Sequence, residues 1–352
     1  MKNGLIQAGI IGSGMVAQEH MSYFTTDQRT ELRWIADLNP EALAKSAEAF
    51  NVPKTTADYH DILNDDEVDA VVICTPPSTH LKIGLDVIAA GKHLLMEKPL
   101  TTSMSATRRL VKVAAQHPEL KISGCTARHA RLQPKYTFVK KFIDDGKLGD
   151  IYYIHHRSVG RQSRGGLEYN PTAKWFLNRN IAGGGPMFDW GVYDLSFHLG
   201  LLDEPRFIKA DGFCINGLDK VDPGTDIFTV EEHGCAMMTF EGGLKYYWER
   251  ASNANMESPN QTAIYGTKGG LKFAFCSWDD PTVEFFYVDD DGKGKAQSEK
   301  FTVDMEGHPG DMANLGIAYI DYLCGTGPVP MPLERELINL NIIHQVYRAA
   351  GW

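Results

Sequence analysis

The chain lacks the features that mark membrane, disulfide-rich and nucleic-acid-binding proteins. No apolar run approaches the roughly 20 residues of a membrane span, and residues 1–7 contain no apolar signal region. Its six cysteines show no CxxC spacing, so we expect neither a disulfide framework nor a zinc site. The 35 basic residues are outnumbered by 45 acidic ones, and the net charge of −10 disfavours nucleic acid as a partner. We expect a cytoplasmic protein with no nucleic-acid or membrane partner.

What is present points to two globular domains. The chain has 352 residues, of which 43% are hydrophobic and 23% charged. Residues 1–125 alternate short apolar runs with helical patterns, which predicts an α/β Rossmann domain with a doubly wound parallel sheet. Residues 126–352 contain longer segments rich in Val, Thr, Tyr and Phe, which predicts an α+β domain with a large, mostly antiparallel open sheet. The last helices of this second domain are expected either to stay with it or to pack back on the first domain.

The boundaries of the predicted elements follow from apolar periodicity and turn residues. In the first domain, strands are predicted at 5–11, 31–37, 70–74, 93–96 and 121–124, and helices at 16–24, 40–50, 79–90 and 103–117. In the second, a helix near 133–145 precedes strands at 151–159, 227–233, 235–240, 244–251, 262–266, 270–275 and 283–288, and helices at 310–324 and 333–350 follow.

A glycine pattern after the first predicted strand indicates a dinucleotide-binding turn. In Gly12-x-Gly14-x-x-Ala17, the first glycine permits the tight turn, the second lets the backbone approach a pyrophosphate, and the alanine lets helix and strand pack closely. The helix that follows offers unpaired N–H groups to phosphate. The residues expected to contact the cofactor here are Gly12, Ser13, Gly14, Met15 and Val16.

The second predicted strand ends in an acid that indicates the type of cofactor. Asp37 stands 25 residues after Gly12, where a carboxylate would bind the adenosine ribose hydroxyls. The same carboxylate would repel a 2′-phosphate, and the following Leu38 and Asn39 supply no arginine to bind one. We therefore expect NAD, with NADP less favoured. The alternative is that Asp37 caps the helix that starts near Pro40.

A loop with two prolines follows the next strand, at the sheet edge where ligands bind in such folds. Thr75, Pro76 and Pro77 are expected to line the nicotinamide side of the site. His80 is expected to reach the cofactor, although a purely structural hydrogen bond in the first helical turn explains it equally well.

Further motifs resemble a known family. Glu97-Lys98-Pro99 after an apolar strand, with the proline loop and the glycine turn, resembles the glucose–fructose oxidoreductase / inositol dehydrogenase / rhizopine catabolism (Gfo/Idh/MocA) family. Residues 182–194, AGGGPMFDWGVYD, are similar to its GGG-x-x-x-D-x-G-x-H-x-x-D segment, and the preceding Trp175-Phe176 and the later GTKGG at 266–270 also fit. The resemblance covers essentially the whole chain. It implies an NAD-dependent dehydrogenase that exchanges a hydride with a secondary alcohol of a sugar, inositol or sugar derivative.

The same resemblance implies the reacting groups. Lys98 would stand at the nicotinamide and the substrate, where its cation can polarise the substrate oxygen, and Glu97 would orient it. A cis bond at Pro99 is implied too. Asp189 would hold substrate hydroxyls, and Tyr193 stands where most of the family has a catalytic histidine. A surface ion pair of Glu97 with Lys98 is disfavoured by their place between a buried strand and a proline.

The four-residue spacing of Asp189 and Tyr193 predicts that a helix presents both on one face. A free tyrosine has a pKa near ~10, so Tyr193 needs a nearby cation to act as a base at neutral pH. In the alternative reading, Tyr193 is a packing residue and Asp189 a helix cap. The acid–base role would then pass to one of three further residues, Asp194, His129 or His198.

Several further candidates also have a structural alternative. Arg128, Arg157, Arg161 and Arg164 are expected to bind the substrate, for example through a carboxylate, a phosphate or sugar hydroxyls, or else to form structural ion pairs. Trp175 would either stack on a sugar or cofactor edge or pack in the core. Gly183–Gly185 would let the backbone approach the cofactor or substrate, and the alternative is a flexible loop. His308 would face the cleft. His155 and His156 alternate across a strand and cannot share a ligand face, so no metal is expected.

Two other functions fit the same motifs. A glycoside hydrolase with tightly bound, recycled NAD would use the same lysine, and a non-catalytic NAD-binding regulator would need only the cofactor site. Retention of Lys98, Asp189 and Tyr193 argues against the regulator, whereas the motifs barely separate the hydrolase from the dehydrogenase. We also expect a homodimer or homotetramer that associates through the open sheet face. The residues predicted for that face are Tyr246, Tyr247, Trp248, Phe285, Phe286 and Tyr287.

Overall fold

The computed structural model describes residues 4–161, 173–218, 227–289 and 294–352, and the candidate Arg164 lies outside these ranges. The chain divides into two compact units. The first takes in the residues up to Arg128 together with Pro309–Ile338, and the second takes in His129–His308 and Asn339–Trp352.

The first unit is built on a six-stranded parallel sheet. Its strands are β1 (Ile6–Ile11), β2 (Thr30–Ala36), β3 (Lys54–Thr56), β4 (Ala70–Ile73), β5 (His93–Met96) and β6 (Ile122–Gly124). They follow the order β3-β2-β1-β4-β5-β6, and every neighbouring pair is parallel. All residues of β1 and β4 are buried, as expected for central strands that are covered on both faces. The predicted Rossmann-type sheet is confirmed, although the short edge strand β3 was not predicted.

The second unit carries an eight-stranded sheet. Its strands are β7 (Ile151–Val159), β8 (Phe207–Ile215), β9 (His233–Phe240), β10 (Lys245–Ala251), β11 (Ser258–Gly266), β12 (Gly269–Ala274), β13 (Thr282–Val288) and β14 (Ala296–Thr302). The order is β14-β13-β12-β11-β7-β10-β9-β8, and each neighbouring pair is antiparallel except β7 and β10. The predicted mostly antiparallel sheet is confirmed.

Helices lie close to their predicted positions. They are α1 (Met15–Thr26), α2 (Pro40–Phe50), α3 (His60–Leu63), α4 (Pro77–Ala89), α5 (Met104–Ala114), α6 (Pro134–Asp144), α7 (Arg179–Ala182), α8 (Pro186–Asp189), α9 (Gly191–Leu201), α10 (Asp311–Cys324) and α11 (Leu333–Ala349). The one-turn helices α3, α7 and α8 were not predicted as separate elements. No helix within the described ranges combines the length and the apolar character that crossing a membrane requires.

The two faces of the second sheet differ. Every residue of α9 is buried. The Trp248 indole donates a hydrogen bond to Asp194 of that helix, and the Tyr246 hydroxyl forms one with His198. Tyr246 and Trp248 were predicted on the open face, and that prediction is wrong because both side chains point toward α9.

Two further residues predicted for the open face also lie elsewhere. Phe285 packs edge-to-face on Phe142 of α6, and Tyr287 stacks on Phe285, which places both on the helix-covered side. Phe286 is 41% exposed and, with Tyr247, does lie on the open face.

One predicted strand is absent. Residues 227–232 form no strand, and β9 begins only at His233. The apolar run there is interrupted by Glu231 and Glu232, both fully buried, whose carboxylates accept backbone N–H bonds from Gly185 and Leu218 respectively. Residues 230–232 are buried, and this burial places the two carboxylates against the backbone of other loops.

Candidate active site

The turn after β1 has the form that a dinucleotide pyrophosphate requires. Gly12 has a φ of +97°, and a side chain there would meet the Cys74 carbonyl at 2.9 Å. Around Gly14, by contrast, no described atom lies within 4 Å of the place where a Cβ would stand. Helix α1 begins at Met15 with no side-chain cap, so its N-terminal N–H groups can donate hydrogen bonds to a bound anion. Ala17 is fully buried, so helix and strand pack closely. The turn fits a dinucleotide.

Asp37, directly after β2, is bound to this turn. Its Oδ2 accepts hydrogen bonds from the Ser13 backbone N–H at 2.6 Å and from the Ser13 hydroxyl at 2.8 Å. Its Oδ1 accepts one from the Asn39 N–H at 2.8 Å and keeps capacity for a further donor. Helix α2 is capped by the Asn39 side chain, so the alternative role of Asp37 as that cap is wrong.

The other residues predicted at this end leave apolar surface uncovered. Leu38 is 87% exposed and Met15 is 49% exposed, while Val16 is half-buried. Both exposed side chains adjoin the residues that shape the turn.

The proline loop is held by a buried histidine. Thr75 and Pro76 are half-buried, and α4 starts at Pro77, two residues before the predicted start. The His80 ring is buried, with Nε2 2.7 Å from the Thr75 carbonyl oxygen and Nδ1 3.0 Å from that of Pro99. Burial lowers the pKa of His80, although the two carbonyls act in the opposite direction. The described contacts of His80 therefore support its structural role of connecting this loop to Pro99.

Lys98 follows the carboxyl end of β5, and its backbone is fixed by Glu97. The Lys98–Pro99 bond is cis, as the resemblance implies. Glu97 is buried, and its Oε2 accepts the Lys98 backbone N–H at 3.0 Å. Its Oε1 accepts hydrogen bonds from His20 Nε2 at 2.8 Å and from Arg128 Nη1. Arg128, predicted to bind substrate, is buried beside Glu97.

The charge on Glu97 is stabilised inside the first unit. Burial alone would raise the pKa of Glu97, but the charge of Arg128 and the hydrogen bond from His20 outweigh it and hold that pKa well below its usual range. The ligand atoms of His20, Glu97 and Cys125 lie within 4.8 Å of one another, which is a spacing that a metal could use. The Arg128 guanidinium disfavours a second cation there, and burial raises the pKa of the Cys125 thiol, so thiolate ligation is disfavoured as well.

In the second unit, the triple glycine is a tightly packed turn. Gly183 has a φ of +92°, a side chain on Gly184 would overlap the Tyr347 hydroxyl, and one on Gly185 would overlap the Glu231 carbonyl oxygen. The Glu231 carboxylate accepts N–H bonds from Gly185 at 2.7 Å and Met187 at 3.0 Å, and the Tyr347 hydroxyl donates to it at 2.8 Å. All three glycines are buried, so the flexible-loop alternative is wrong.

Asp189 and Tyr193 do not share a helix. Asp189 ends α8 and Tyr193 lies in α9, with Trp190 between them, so the prediction of one continuous helix face is wrong. Asp189 is 8% exposed and lines a cavity, and it is not an N-cap. The Tyr193 ring is 1% exposed and meets the rings of His129 and Trp190 at 4.9 and 5.5 Å.

Two of the three alternative acid–base residues belong to the core. Asp194 accepts from both Nε and Nη2 of Arg250, at 2.6 and 2.5 Å, and His198 bonds to the hydroxyls of Tyr246 and Thr262 at 2.7 and 2.9 Å. Burial lowers the pKa of His198 well below its usual value. His129 is half-buried against Tyr193 and is the alternative that stays beside it.

The remaining candidates do not lie together in one place. Arg157 lies on the open sheet face with its Nε 2.8 Å from Glu249, which supports its structural ion-pair role, and the exposed Arg161 pairs with Glu257 at 3.2 Å. Trp175 is half-buried and stacks on Phe176 at 4.0 Å. His308 is half-buried and lies three residues before the start of α10 at Asp311.

A cavity of about 500 Å³ lies within the second unit and brings Asp189 together with residues that the sequence analysis did not single out. Its lining includes Asp189, Trp190, Arg250, Asn260, Trp278 and Asp279. Trp278 lies in a short segment between two strands, where an aromatic residue followed by two acids was a usable signal. Nothing in its local pattern places Asn260 there, because only the pairing of β11 brings it to the cavity.

Two family models match most of the chain. Residues 6–123 match a model described as an oxidoreductase family with an NAD-binding Rossmann fold (GFO_IDH_MocA), and residues 136–272 match the GFO/IDH/MocA C-terminal domain. Among curated proteins, the chain is 25% identical to D-xylose 1-dehydrogenase [NADP(+)] of Haloarcula marismortui, over 88% of this chain and 79% of that protein. It is also 25% identical to D-glucoside 3-dehydrogenase of Escherichia coli, over 99% and 97%.

Solved structures share the fold over nearly the whole chain. An oxidoreductase domain protein from Kribbella flavida superposes with a TM-score of 0.83 at 20% identity, covering 99% of this chain and 97% of that one. Levoglucosan dehydrogenase in complex with NADH and levoglucosan superposes with a TM-score of 0.82 at 18% identity, covering 98% and 97%.

Proposed function

The chain belongs to the Gfo/Idh/MocA family of NAD-binding oxidoreductases, and from that premise we propose that it is a dehydrogenase of a sugar, inositol or sugar derivative. It would exchange a hydride between NAD and a secondary alcohol of the substrate. The observation that carries the proposal is the Glu97-Lys98-Pro99 segment, in which a buried and doubly supported carboxylate fixes the backbone of a half-buried lysine.

The proposed cofactor residues begin with the glycine turn and Asp37. The open space around Gly14 and the uncapped start of α1 suit a pyrophosphate. The free capacity of Asp37 Oδ1 suits a ribose hydroxyl and opposes a 2′-phosphate, which favours NAD over NADP. The exposed Leu38 and Met15 offer apolar cover for an adenine ring. The other proposed contacts are Ser13, Val16, Thr75, Pro76, Pro77, His80, Glu97, Lys98 and Trp175.

Lys98, Tyr193 and Asp189 are the proposed reacting groups. When bound, NAD supplies or accepts the hydride. The Lys98 ammonium would polarise the substrate oxygen and favour the alkoxide that develops during oxidation. The Tyr193 hydroxyl would take up or return the proton, and the Asp189 carboxylate would orient substrate hydroxyls. The sugar and polyol substrates named for the relatives support this class of substrate.

The test is NADH formation with a substrate panel and a matched pair of lysine variants. Purified protein is mixed with NAD and a panel of sugars, inositols and sugar derivatives while NADH absorbance is recorded. We expect a rise with one substrate class and a loss of kcat of about 100-fold or more in Lys98→Met. Lys112→Met, which alters an exposed lysine of α5, is expected to keep full activity.

Failure would point to specific alternatives. If NAD binds but no substrate yields NADH, the dehydrogenase proposal is wrong. Cleavage of an aryl glycoside without net NADH would then assign a hydrolase with recycled NAD, and the absence of both reactions would favour a regulator.

We also propose that two copies of the chain associate through the open sheet face. This face presents Tyr247 stacked on His155 at 4.7 Å, and it exposes Met237, Tyr265 and Phe286 by about 40% each. An apolar and aromatic patch of this kind is typical of a surface that another protein covers.

A further inference from the structure

His20 is a fully buried histidine to which the proposed reaction gives no part. It lies in helix α1, five residues after the helix begins at Met15. Its Nε2 is 2.8 Å from Glu97 Oε1, and its Nδ1 forms a hydrogen bond with the Tyr23 hydroxyl. All of these residues belong to the first unit. Both ring nitrogens of His20 therefore have a partner inside that unit.

The two partners fix the direction of the hydrogen bonds of His20. The charged Glu97 carboxylate can only accept, so His20 Nε2 carries a proton and donates it. In the neutral ring, Nδ1 is then an acceptor, and the Tyr23 hydroxyl donates to it. Burial raises the pKa of Tyr23 well above its usual value, which keeps this hydroxyl protonated. The three side chains thus form a directed chain from Tyr23 through His20 to Glu97.

This chain of hydrogen bonds ends at the backbone of Lys98. The Glu97 Oε2 accepts the Lys98 N–H at 3.0 Å, while its Oε1 is shared by His20 and Arg128. Because hydrogen bonds are directional, a carboxylate that is bonded through both oxygens cannot rotate without weakening one of these bonds. The place of the Lys98 backbone therefore depends on the place of His20.

Helix α1 contributes to the candidate site at two levels. Its uncapped N-terminus at Met15 follows the glycine turn, and His20 lies about 7.5 Å further along the helix axis, at ~1.5 Å per residue. The backbone hydrogen bonds of a helix keep such a spacing constant. A pyrophosphate at the N-terminus of α1 and the backbone of Lys98 would therefore share one rigid support.

We propose that His20 is a positioning residue that fixes Lys98 relative to the bound cofactor. It holds the Glu97 carboxylate against helix α1, and this carboxylate holds the backbone from which the Lys98 side chain extends. A displacement of about 1 Å at a reacting group lowers a rate by about 100-fold, so the place of this backbone matters for hydride transfer. The inference rests on the proposed function, in which Lys98 polarises the substrate oxygen.

The first test compares two replacements of His20. His20→Leu removes the donor to Glu97, and we expect kcat to fall by about 10- to 100-fold while the KM for NAD changes less than about twofold. A glutamine amide N–H can stand near the position of Nε2, so His20→Gln should recover kcat to within about threefold of the wild type. Tyr23→Phe keeps the aromatic ring but loses the hydroxyl, and its kcat should lie between those of the wild type and His20→Leu.

Met21→Ala is the matched control for these variants. Met21 is the next residue of α1 and is also fully buried, so its truncation should lower the urea midpoint through lost packing. Its kcat should stay within about twofold of the wild type, because it leaves the bond to Glu97 in place. The inference is wrong if His20→Leu keeps full kcat, if Met21→Ala loses as much kcat as His20→Leu, or if His20→Gln recovers nothing.

The second test observes the Lys98 N–H directly and needs no substrate. Hydrogen exchange of this amide is measured by NMR or mass spectrometry, relative to the amide of Val72 in the buried strand β4. We expect the ratio of the Lys98 rate to the Val72 rate to rise by about tenfold in His20→Leu. In Met21→Ala and His20→Gln this ratio should stay close to that of the wild type.

The two tests separate this inference from the proposed function. If no substrate yields NADH but the exchange ratio rises in His20→Leu, the support of Lys98 by His20 stands and the dehydrogenase is wrong. If a substrate yields NADH and the exchange ratio is the same in His20→Leu and the wild type, the dehydrogenase stands and the positioning role is wrong.

Discussion

Two glycines of the candidate site face different surroundings, and this difference is testable. A Cβ on Gly14 would stand in open space, whereas one on Gly185 would overlap the Glu231 carbonyl oxygen. We expect Gly14→Ala to keep its free energy of unfolding within about 1 kcal/mol of the wild type but to weaken NAD binding at least tenfold. Gly185→Ala should lose about 2–4 kcal/mol of stability. Urea unfolding and NAD titration of both variants check this, and equal NAD affinity in Gly14→Ala would contradict the role of that turn.

Asp37 gives a prediction on cofactor choice. Replacing it by serine removes the carboxylate that opposes a 2′-phosphate, while the hydroxyl preserves one acceptor near the Ser13 N–H. We expect Asp37→Ser to raise the KM for NAD by about tenfold and to lower the KM for NADP. Steady-state kinetics with both cofactors measure the ratio. Asp61→Ser, on the short helix α3, is the control and should not change that ratio.

His344 makes the stability of the second unit depend on pH. Burial and the nearby charges of Arg179 and Arg348 lower its pKa to about 4, and its buried Nε2 has no partner among the described residues. A histidine with a lowered folded-state pKa stabilises the fold above its unfolded pKa, near ~6.5, and this stability is lost as the pH falls from there toward 4. The loss should reach about 3 kcal/mol at most.

The variant His344→Leu should therefore show a smaller loss of stability on acidification, and at pH 7.5 it should be at least as stable as the wild type. Chemical unfolding at pH 7.5 and pH 5 measures both effects. Equal losses for the two proteins would show that His344 does not carry this dependence.

At the scale of elements, helix α9 is anchored by a buried charge pair. Asp194 accepts two hydrogen bonds from Arg250 and one from the Trp248 indole at 2.8 Å, and the Arg250 charge outweighs burial and holds the pKa of Asp194 well below its usual range. Because Asp194→Asn would leave the Arg250 charge buried and unpaired, we expect a loss of about 3–5 kcal/mol. Urea midpoints measure it, and Asp203→Asn, with a side chain 85% exposed, is the control. A midpoint unchanged in Asp194→Asn would contradict the anchoring role.

The sequence predicted central elements better than edges. The apolar strands β1 and β4 were found almost to the residue, since their burial on both faces makes them continuously hydrophobic. The edge strands β8 and β14 were missed, because seven residues such as AQSEKFT, mostly exposed, carry no apolar alternation. Edge pairing depends on the neighbouring strand, which a local pattern does not contain.

For the candidate site, the sequence predicted residues fixed by local turns and missed those fixed by packing. Gly12 and Asp37 depend on the ends of adjacent strands, and both lie at the turn as predicted. The support of Glu97 by Arg128 and the place of Asn260 arise from contacts distant in sequence, and the helix break at Trp190 has no signal in the apolar pattern. Helical periodicity could not reveal them.

At the scale of the whole molecule, the association of two copies can be tested at the open sheet face. Met237 lies opposite Tyr247 in the pairing of β9 with β10 and is 40% exposed. A charge there would be buried without a partner in a paired face, so we expect Met237→Glu to sediment as a monomer at micromolar concentration where the wild type is a dimer or tetramer. Met256→Glu, at a position 66% exposed, should leave the wild-type size unchanged. A monomeric wild type would refute the association.

The first unit is assembled from two stretches of chain separated by most of the second unit. Arg29 bonds to Asp321 at 2.6 Å, the Thr126 hydroxyl donates to Glu336 at 2.6 Å, and the Tyr23 ring fills the space that Gly316 leaves by lacking a side chain. During synthesis on the ribosome, 292 residues separate Arg29 from its partner and 210 residues separate Thr126 from its partner, so neither contact can form until that much more chain has been made. The nucleotide-binding unit is therefore completed only after the whole second sheet has been synthesised, although its own first strand is made first.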